Sequence, residues 1–205
     1  MRGPGLRLIL GLGLALALPG GAGAQELPAL FSVTGVAADD VLNIRALPDA
    51  KSEVVGSLAP DATGVEVVAL AEGGRWGMVN TGEQAGWAAM RFLAAEGAAP
   101  WWALATPLSC YGTEPFWGLD LAAGGTAAYL SDPNDGPHDL GPATLWQRPM
   151  NRAGLGLSFA GGFATIEARA CDDGMSGREY GLSILLFGEL GGGRYSLDGC
   201  CSLAR

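Results

Sequence analysis

Turn-forming residues break this chain into short apolar runs that leave little room for helices. Gly occupies 34 of the 205 positions and Pro another 12, and the glycines do not follow the triplet period of collagen. Between them lie short runs rich in Val, Leu, Ile and Trp, which are typical of strands joined by tight turns. Because 49% of the residues are apolar and only 16% are charged, the chain can bury a core. The pattern predicts an all-β protein.

The N-terminal residues 1–24 have the composition of a secretory signal peptide. Arg2 and Arg7 form a positive start, residues 8–18 are apolar, and Ala22-Gly23-Ala24 is a small-residue cleavage site. The apolar stretch is shorter than the about 20 residues that a membrane-spanning helix needs. We therefore expect an exported protein that begins near Gln25, is periplasmic or secreted, and has no membrane span in its mature form.

The formal net charge of −9 restricts the partners. An acidic chain without a Lys/Arg cluster is repelled by nucleic acid phosphates and by anionic lipid. We therefore expect no nucleic acid partner, whereas a cationic envelope protein would be attracted.

All four cysteines lie in the second half of the chain, at Cys110, Cys171, Cys200 and Cys201. An even number in an exported chain favours disulfides, and the Cys-x-x-Cys spacing of zinc sites is missing. A bond between the adjacent Cys200 and Cys201 would strain the peptide that joins them. Because neighbours on a strand point to opposite faces, we expect one to bond to Cys110 and the other to Cys171. Which cysteine takes which partner stays open.

An Ala-rich stretch around residues 94–100 separates two β-rich segments. Strands are expected in the first segment at residues 30–33, 41–45, 54–58, 65–70, 76–79 and 86–88. Runs this short within about 65 residues describe a small barrel without a crossover helix. The expected division is a signal peptide at 1–24, a first domain at 25–94, a linker at 95–106 and a second domain at 107–205.

The second segment has longer runs in which apolar and polar residues alternate. It predicts an antiparallel barrel or sandwich of about eight strands, stapled by the disulfides. Residues 182–187 are apolar at nearly every position. This run is expected to form a central strand covered on both faces.

The first segment resembles the bacterial SH3 (SH3b) domain over residues 30–94. The matching pieces are Leu42-Asn43-Ile44-Arg45 with Pro48, Val55-Gly56-Ser57-Leu58, Val65-Glu66-Val67, Trp76-Gly77-Met78-Val79, Gly86-Trp87 and Phe92-Leu93. Ala46-Leu47, Ala88 and Phe92 depart from the usual family residues.

This resemblance implies an SH3-like small barrel that binds cell-wall peptide or glycan. Asn43, Arg45, Trp76 and Trp87 are the predicted ligand-contacting residues. An accessible ring of Trp76 or Trp87 can stack on a sugar or a stem peptide. The alternative for both tryptophans is a place in the core, since small barrels bury most of their aromatic residues.

The second segment resembles a family of bacterial envelope domains for which no activity is implied. The matching pieces are Cys110-Tyr111-Gly112-Thr113-Glu114-Pro115-Phe116-Trp117, Cys171-Asp172-Asp173-Gly174-Met175-Ser176-Gly177-Arg178-Glu179-Tyr180 and Gly199-Cys200-Cys201. Within the second piece, residues 176–180 look like the Ser-Gly-x-x-Tyr loop with which periplasmic inhibitors enter the cleft of C-type lysozyme. This similarity implies an alternative function, with Ser176, Gly177 and Tyr180 as an inhibitor loop. The other interpretation is a simple turn between strands.

The chemistry-bearing residues suggest no enzyme. His138, the only histidine, lies in a turn-forming stretch with no Ser or Cys motif for a triad, and the acidic residues around it fail the EF-hand spacing. Glu114 with Asp172 or Asp173 is a carboxylate pair of the kind that glycoside hydrolysis needs, provided that both flank a sugar cleft. A cell-wall hydrolase is therefore a further alternative. We predict a non-enzymatic protein that binds or adapts at the cell wall, with no catalytic residues, no metal site and no cofactor.

Overall fold

The computed structural model describes residues 26–97, 99–132, 136–149, 153–190 and 193–203. The expected signal peptide and its cleavage site lie outside these residues. The described residues form seventeen strands and three single-turn 3-10 helices, so the all-β prediction is confirmed. Across the same ranges, no helix has the length and apolar character to cross a membrane.

The first domain consists of two small antiparallel sheets around one core. Its strands are β1 (Ala29–Val33), β2 (Leu42–Arg45), β3 (Val54–Leu58), β4 (Val65–Val67), β5 (Ala69–Ala71), β6 (Trp76–Thr81), β7 (Gln84–Ala89) and β8 (Leu93–Ala95). One sheet has the order β4-β1-β8 and the other β3-β2-β7-β6-β5. All six expected strands are present, with the run at 65–70 divided into β4 and β5. Buried side chains such as Phe31, Ile44 and Val67 fill the space between the sheets.

The second domain is a single antiparallel sheet that curls into a half-barrel. Its strands are β9 (Leu108–Thr113), β10 (Phe116–Leu121), β11 (Ala128–Asp132), β12 (Gly136–Gly141), β13 (Thr144–Gln147), β14 (Leu155–Phe159), β15 (Gly162–Cys171), β16 (Tyr180–Leu190) and β17 (Gly193–Leu203). Their order is β12-β11-β10-β9-β17-β16-β15-β14-β13. The sheet thus has nine described strands where about eight were expected.

The main hydrophobic core of the second domain lies on one face of the curled sheet, the concave face. Along β16, Leu182, Ile184 and Leu186 are buried, but Leu185 between them is 41% exposed. The expectation that residues 182–187 are covered on both faces was therefore wrong. The sheet has one layer at this point, so its outer face meets solvent despite its apolar side chains.

Part of the expected linker belongs to the second domain. The 3-10 turn Trp101–Ala103 places Trp101 and Trp102 edge to face in the concave core, where they are 4% and 7% exposed. Leu104 follows them and is 1% exposed. At the other end of the expected linker, Ala95 pairs with Phe31 in the first domain. Three large apolar residues of the expected linker at 95–106 therefore pack in the half-barrel core, where burial is more favourable than exposure to solvent.

The expected disulfide pattern is confirmed and its open choice is resolved. Cys110 bonds to Cys201, which lies directly opposite it on the neighbouring strand, and Cys171 bonds to Cys200. Cys201 belongs to the concave core, whereas its neighbour Cys200 points to the other face of β17. The two disulfides therefore lie on opposite faces of the sheet.

Candidate functional site

The four predicted ligand-contacting residues share one face of the five-stranded sheet. Alternation along β2 turns Leu42 and Ile44 into the core and Asn43 and Arg45 outward. Arg45 is the cross-strand partner of Trp87.

Trp87 is in turn paired with Met78 on β6, and Trp76 follows on the same face. Trp76 and Trp87 are both half-buried, neither in the core nor fully exposed. Their rings therefore remain partly accessible from solvent.

A groove of about 430 Å³ opens beside this face. Asn43, Arg45 and Trp76 line it together with Arg91 and Phe92, which follow β7. Trp87 is not among the lining residues. The sequence prediction missed Arg91, although this residue directly precedes the motif piece Phe92-Leu93.

The groove is locally basic on a protein that is acidic overall. The Arg45 guanidinium donates to the carbonyl oxygen of Ser52 at 2.7 Å, which fixes its position. The Arg91 guanidinium lies over the Phe92 ring, 4.5 Å from its centroid. Asp40 is the one acidic residue of the described lining, and its carboxylate accepts from the N–H of Val41. Two arginines and one aspartate, whose carboxylate accepts a backbone hydrogen bond, thus line the groove.

The second region singled out from the sequence, residues 172–180, lies against the first domain. Gly177 donates its N–H to the carbonyl oxygen of Glu83 at 2.8 Å and accepts from the N–H of Ala85 at 2.7 Å. The short segment at Gly177 therefore runs parallel to the start of β7, as an added single-residue bridge. Elsewhere in the same interface, the Leu203 N–H donates to the Glu66 carboxylate.

The Asp173 carboxylate holds this segment together by hydrogen bonds to residues of the segment itself. Its carboxylate accepts from the N–H groups of Met175 and Ser176, from the Ser176 hydroxyl and, at 3.3 Å, from the Tyr180 hydroxyl. Burial acts to raise the pKa of Asp173, but these hydrogen bonds outweigh it and hold the pKa below its ordinary value. Asp173 is therefore a charged anchor for the loop.

The residues of the alternative inhibitor loop already make contacts within their own segment and with the first domain. Tyr180 is only 3% exposed, the Ser176 hydroxyl bonds to Asp173 and accepts from the Arg178 N–H, and Gly177 is tied to Glu83 and Ala85. In this conformation the loop is held against the first domain and is not free to enter the cleft of an enzyme. The geometry favours the interpretation of residues 176–180 as a turn, here a turn that joins two domains.

Tyr180 also packs against Tyr111 on β9. The two rings meet edge to face with centroids 5.3 Å apart. Burial, followed by the hydrogen bond to Tyr180, raises the pKa of Tyr111 far above its ordinary value of 10.0. Burial likewise raises the pKa of Tyr180. Both phenols are therefore neutral at physiological pH and act as structural hydrogen-bonding groups.

The carboxylates considered for hydrolysis do come together on the second domain. Glu114, Asp172 and Asp173 line a cleft of about 710 Å³, with Asp198 as a fourth acid. Asp173 is held ionised by its hydrogen bonds and is a poor general acid, a role that needs a raised pKa. The lone His138 lies on β12 opposite Leu130 and does not line this cleft. Within the described residues, no group of three or more His, Cys, Asp or Glu side chains is arranged to hold a metal ion.

Comparison with known proteins found no matching family model, no similar curated protein and no similar solved structure. The SH3b resemblance therefore rests on the matching residues of the first domain. We infer function from the geometry of the two sites.

Proposed function

We propose that this protein is a non-enzymatic binding protein of the bacterial cell envelope that holds cell-wall peptide or glycan in the groove of its first domain. One observation carries the proposal. Asn43, Arg45 and Trp76, three of the four predicted ligand-contacting residues, line a single groove. Residues spread over 34 positions of the sequence thus converge on one surface.

The chemistry of the groove suits a peptide that bears carboxylates. Arg45 and Arg91 offer fixed guanidinium groups, which bind carboxylates through paired N–H donors. Trp76 offers a half-buried ring for an apolar or sugar face, and the Asn43 amide matches the donor and acceptor of a peptide bond. These features support the peptide part of cell-wall material over its glycan part.

We assign the protein to the periplasm or to the secreted fraction. The two disulfides are of the kind that persist in oxidising compartments outside the cytoplasm. The export signal expected at residues 1–24 agrees with this location. The second domain then acts as a stapled platform that is held against the binding domain.

Sedimentation with purified murein tests the proposed groove, using the chain from residue 25 onward. Arg91→Glu places a carboxylate in the groove and should weaken binding by about tenfold, since it replaces an attractive charge with a repulsive one. Arg75→Glu is the matched control, because Arg75 is exposed on the same domain and pairs with Glu72 outside the groove. Equal binding by wild type and Arg91→Glu would refute the groove as the site.

The non-enzymatic assignment has its own test. In a zymogram, the protein should leave murein intact over the full pH range of activity of wall hydrolases. Lysis that disappears in Glu114→Gln would overturn the assignment and establish the hydrolase alternative.

A further inference from the structure

An open cleft lies where the two domains meet, with two exposed apolar side chains at its mouth. Phe116, at the start of β10, is 54% exposed and Met175, in the segment that contacts the first domain, is 67% exposed. Both residues line two adjoining hollows of about 570 and 710 Å³. We call these two hollows the junction cleft. Apolar side chains exposed together beside a cleft are typical of surfaces that bind a partner.

The lips of the junction cleft are held in place by hydrogen bonds. The Thr113 hydroxyl donates to the carbonyl oxygen of Asp173 at 3.0 Å, and the Met175 N–H donates to the Asp173 carboxylate at 2.9 Å. Glu83 of the first domain forms part of the wall, and its carbonyl oxygen binds Gly177. Because these contacts already order the segment, a ligand would not bear the entropy cost of ordering it.

The charged residues that line the cleft are all acidic. Glu83 lines one side, and Glu114, Asp172 and Asp198 line the other, with Asp173 between them. No described residue of either hollow is basic. Asp172 and Asp173 accept backbone hydrogen bonds, whereas Glu83, Glu114 and Asp198 make no side-chain hydrogen bond or ion pair in the described part of the chain. These three carboxylates can therefore form ion pairs with the basic side chains of a partner.

We propose that the junction cleft binds a basic segment of a partner protein. An apolar side chain of that segment packs between Phe116 and Met175, and flanking Lys or Arg side chains face Glu83, Glu114 and Asp198. The exposed ring and thioether favour a peptide over a small hydrated cation, which gains nothing from apolar contacts. This site is separate from the basic groove of the first domain, and it does not depend on the function proposed for that groove.

Fluorescence anisotropy with a labelled peptide that alternates Lys and Leu tests the proposal on the full mature chain. Phe116→Ala should weaken binding by about tenfold through lost apolar contact. The double variant Glu114→Gln/Asp198→Asn should weaken binding by about fivefold at low salt and flatten its salt dependence, because fewer charges remain to be screened.

Matched controls separate the cleft from general attraction to an acidic protein. Phe163→Ala removes a phenyl ring with 53% exposure on β15, away from the cleft, and Glu26→Gln/Glu53→Gln removes two exposed acids of the first domain. Both should bind the peptide as the wild type does. A loss in these controls equal to that in the cleft variants, or no binding by the wild type, would overturn the proposal.

Methyl resonances provide a readout that does not depend on affinity changes in variants. With methyl-labelled methionine, the Met175 signal should shift on addition of the Lys-Leu peptide, while the signals of Met78 and Met90 in the first domain should stay in place. A peptide that binds without moving the Met175 signal would place the site elsewhere and refute the inference.

Discussion

The side-chain amide of Asn80 forms two hydrogen bonds with the backbone of Glu179, 99 positions along the chain. Its Nδ2 donates to the Glu179 carbonyl oxygen at 2.8 Å, and its Oδ1 accepts from the Glu179 N–H at 3.0 Å. A side-chain amide carries the same donor and acceptor as a peptide unit, so Asn80 takes the place of a neighbouring strand. Together with the two backbone bonds of Gly177, it joins the domains by strand-like pairing.

Asn80→Asp should loosen this junction. Aspartate lacks the donor for the Glu179 carbonyl oxygen, and leaving such a group unpaired costs about 1 to 3 kcal/mol. The amide hydrogens of Gly177 and Ala85 should then exchange with solvent about tenfold faster, as measured by NMR. Glu83→Ala is the control, because Glu83 contacts Gly177 through its backbone carbonyl. Unchanged exchange in Asn80→Asp would show that other contacts hold the domains together.

Gly112→Ala should strongly destabilise the second domain. A methyl group at this position would overlap the Trp117 indole and the carbonyl oxygen of Asp198, because the indole lies directly over Gly112. Overpacking of this kind costs about 1 to 3 kcal/mol, and overlap with backbone places this site at the upper end. Gly73→Ala, where nothing lies within 4 Å but φ is +67°, should cost only about 1 kcal/mol. Urea unfolding of both variants measures the difference, and equal stabilities would contradict the close packing at Gly112.

Removal of each disulfide should lower stability by a different amount. The Cys110–Cys201 bridge spans 91 positions and the Cys171–Cys200 bridge spans 29. The chain-entropy model gives about 4.6 and 3.6 kcal/mol for loops of these lengths. Paired alanine substitutions compared by denaturant unfolding should therefore be more harmful at Cys110 and Cys201. A protein with both pairs replaced and wild-type stability would exclude a stabilising role for the bridges.

The contribution of Asp173 to stability should depend on pH. Since hydrogen bonds hold its pKa below the ordinary value of 3.8, the carboxylate favours the folded state at pH values above 3.8. This contribution is lost as the pH falls through the folded-state pKa. The stability gap between wild type and Asp173→Asn should therefore be constant from pH 7 to 5 and narrow below about pH 4.

Urea unfolding at each pH measures this gap. Asp139→Asn is the control, because Asp139 accepts a single backbone bond, from Gly141, and lies outside the loop. A gap for Asp173→Asn that does not change down to pH 3 would contradict the role of the charged carboxylate.

The sequence was most informative where local pattern decides the structure. Alternation and turn residues predicted the strands of the first domain, since apolar residues two positions apart share a face. The same rule places Cys200 and Cys201 on opposite faces of a strand. It therefore predicted that one of them bonds to Cys110 and the other to Cys171. The choice between the two pairings needed the register of β9 against β17, which no local pattern encodes.

The sequence was least informative about contacts between distant segments. The pairing of Gly177 with Glu83 and Ala85 depends on how two finished domains meet, and the motif that contains Gly177 gives no indication of this contact. Trp101 and Trp102 looked like linker residues because Ala and Pro surround them, yet their burial depends on a core built from the rest of the domain. The fold of the first domain brings Arg91 into the groove. In the sequence, the only indication of its role was that it directly precedes the motif piece Phe92-Leu93.

The position of β17 in the sheet has a consequence for the order in which the protein matures. This strand, the last of the described strands in chain order, lies at the centre of the nine, between β9 and β16. Until β17 pairs with them, β9 and β16 are the unpaired edges of two separate half-sheets, and Cys110 and Cys171 lack the partners to which they bond in the folded domain. Such edges recruit other chains. Folding of the second domain therefore includes an aggregation-prone stage that ends only when residues 193–203 pair between β9 and β16.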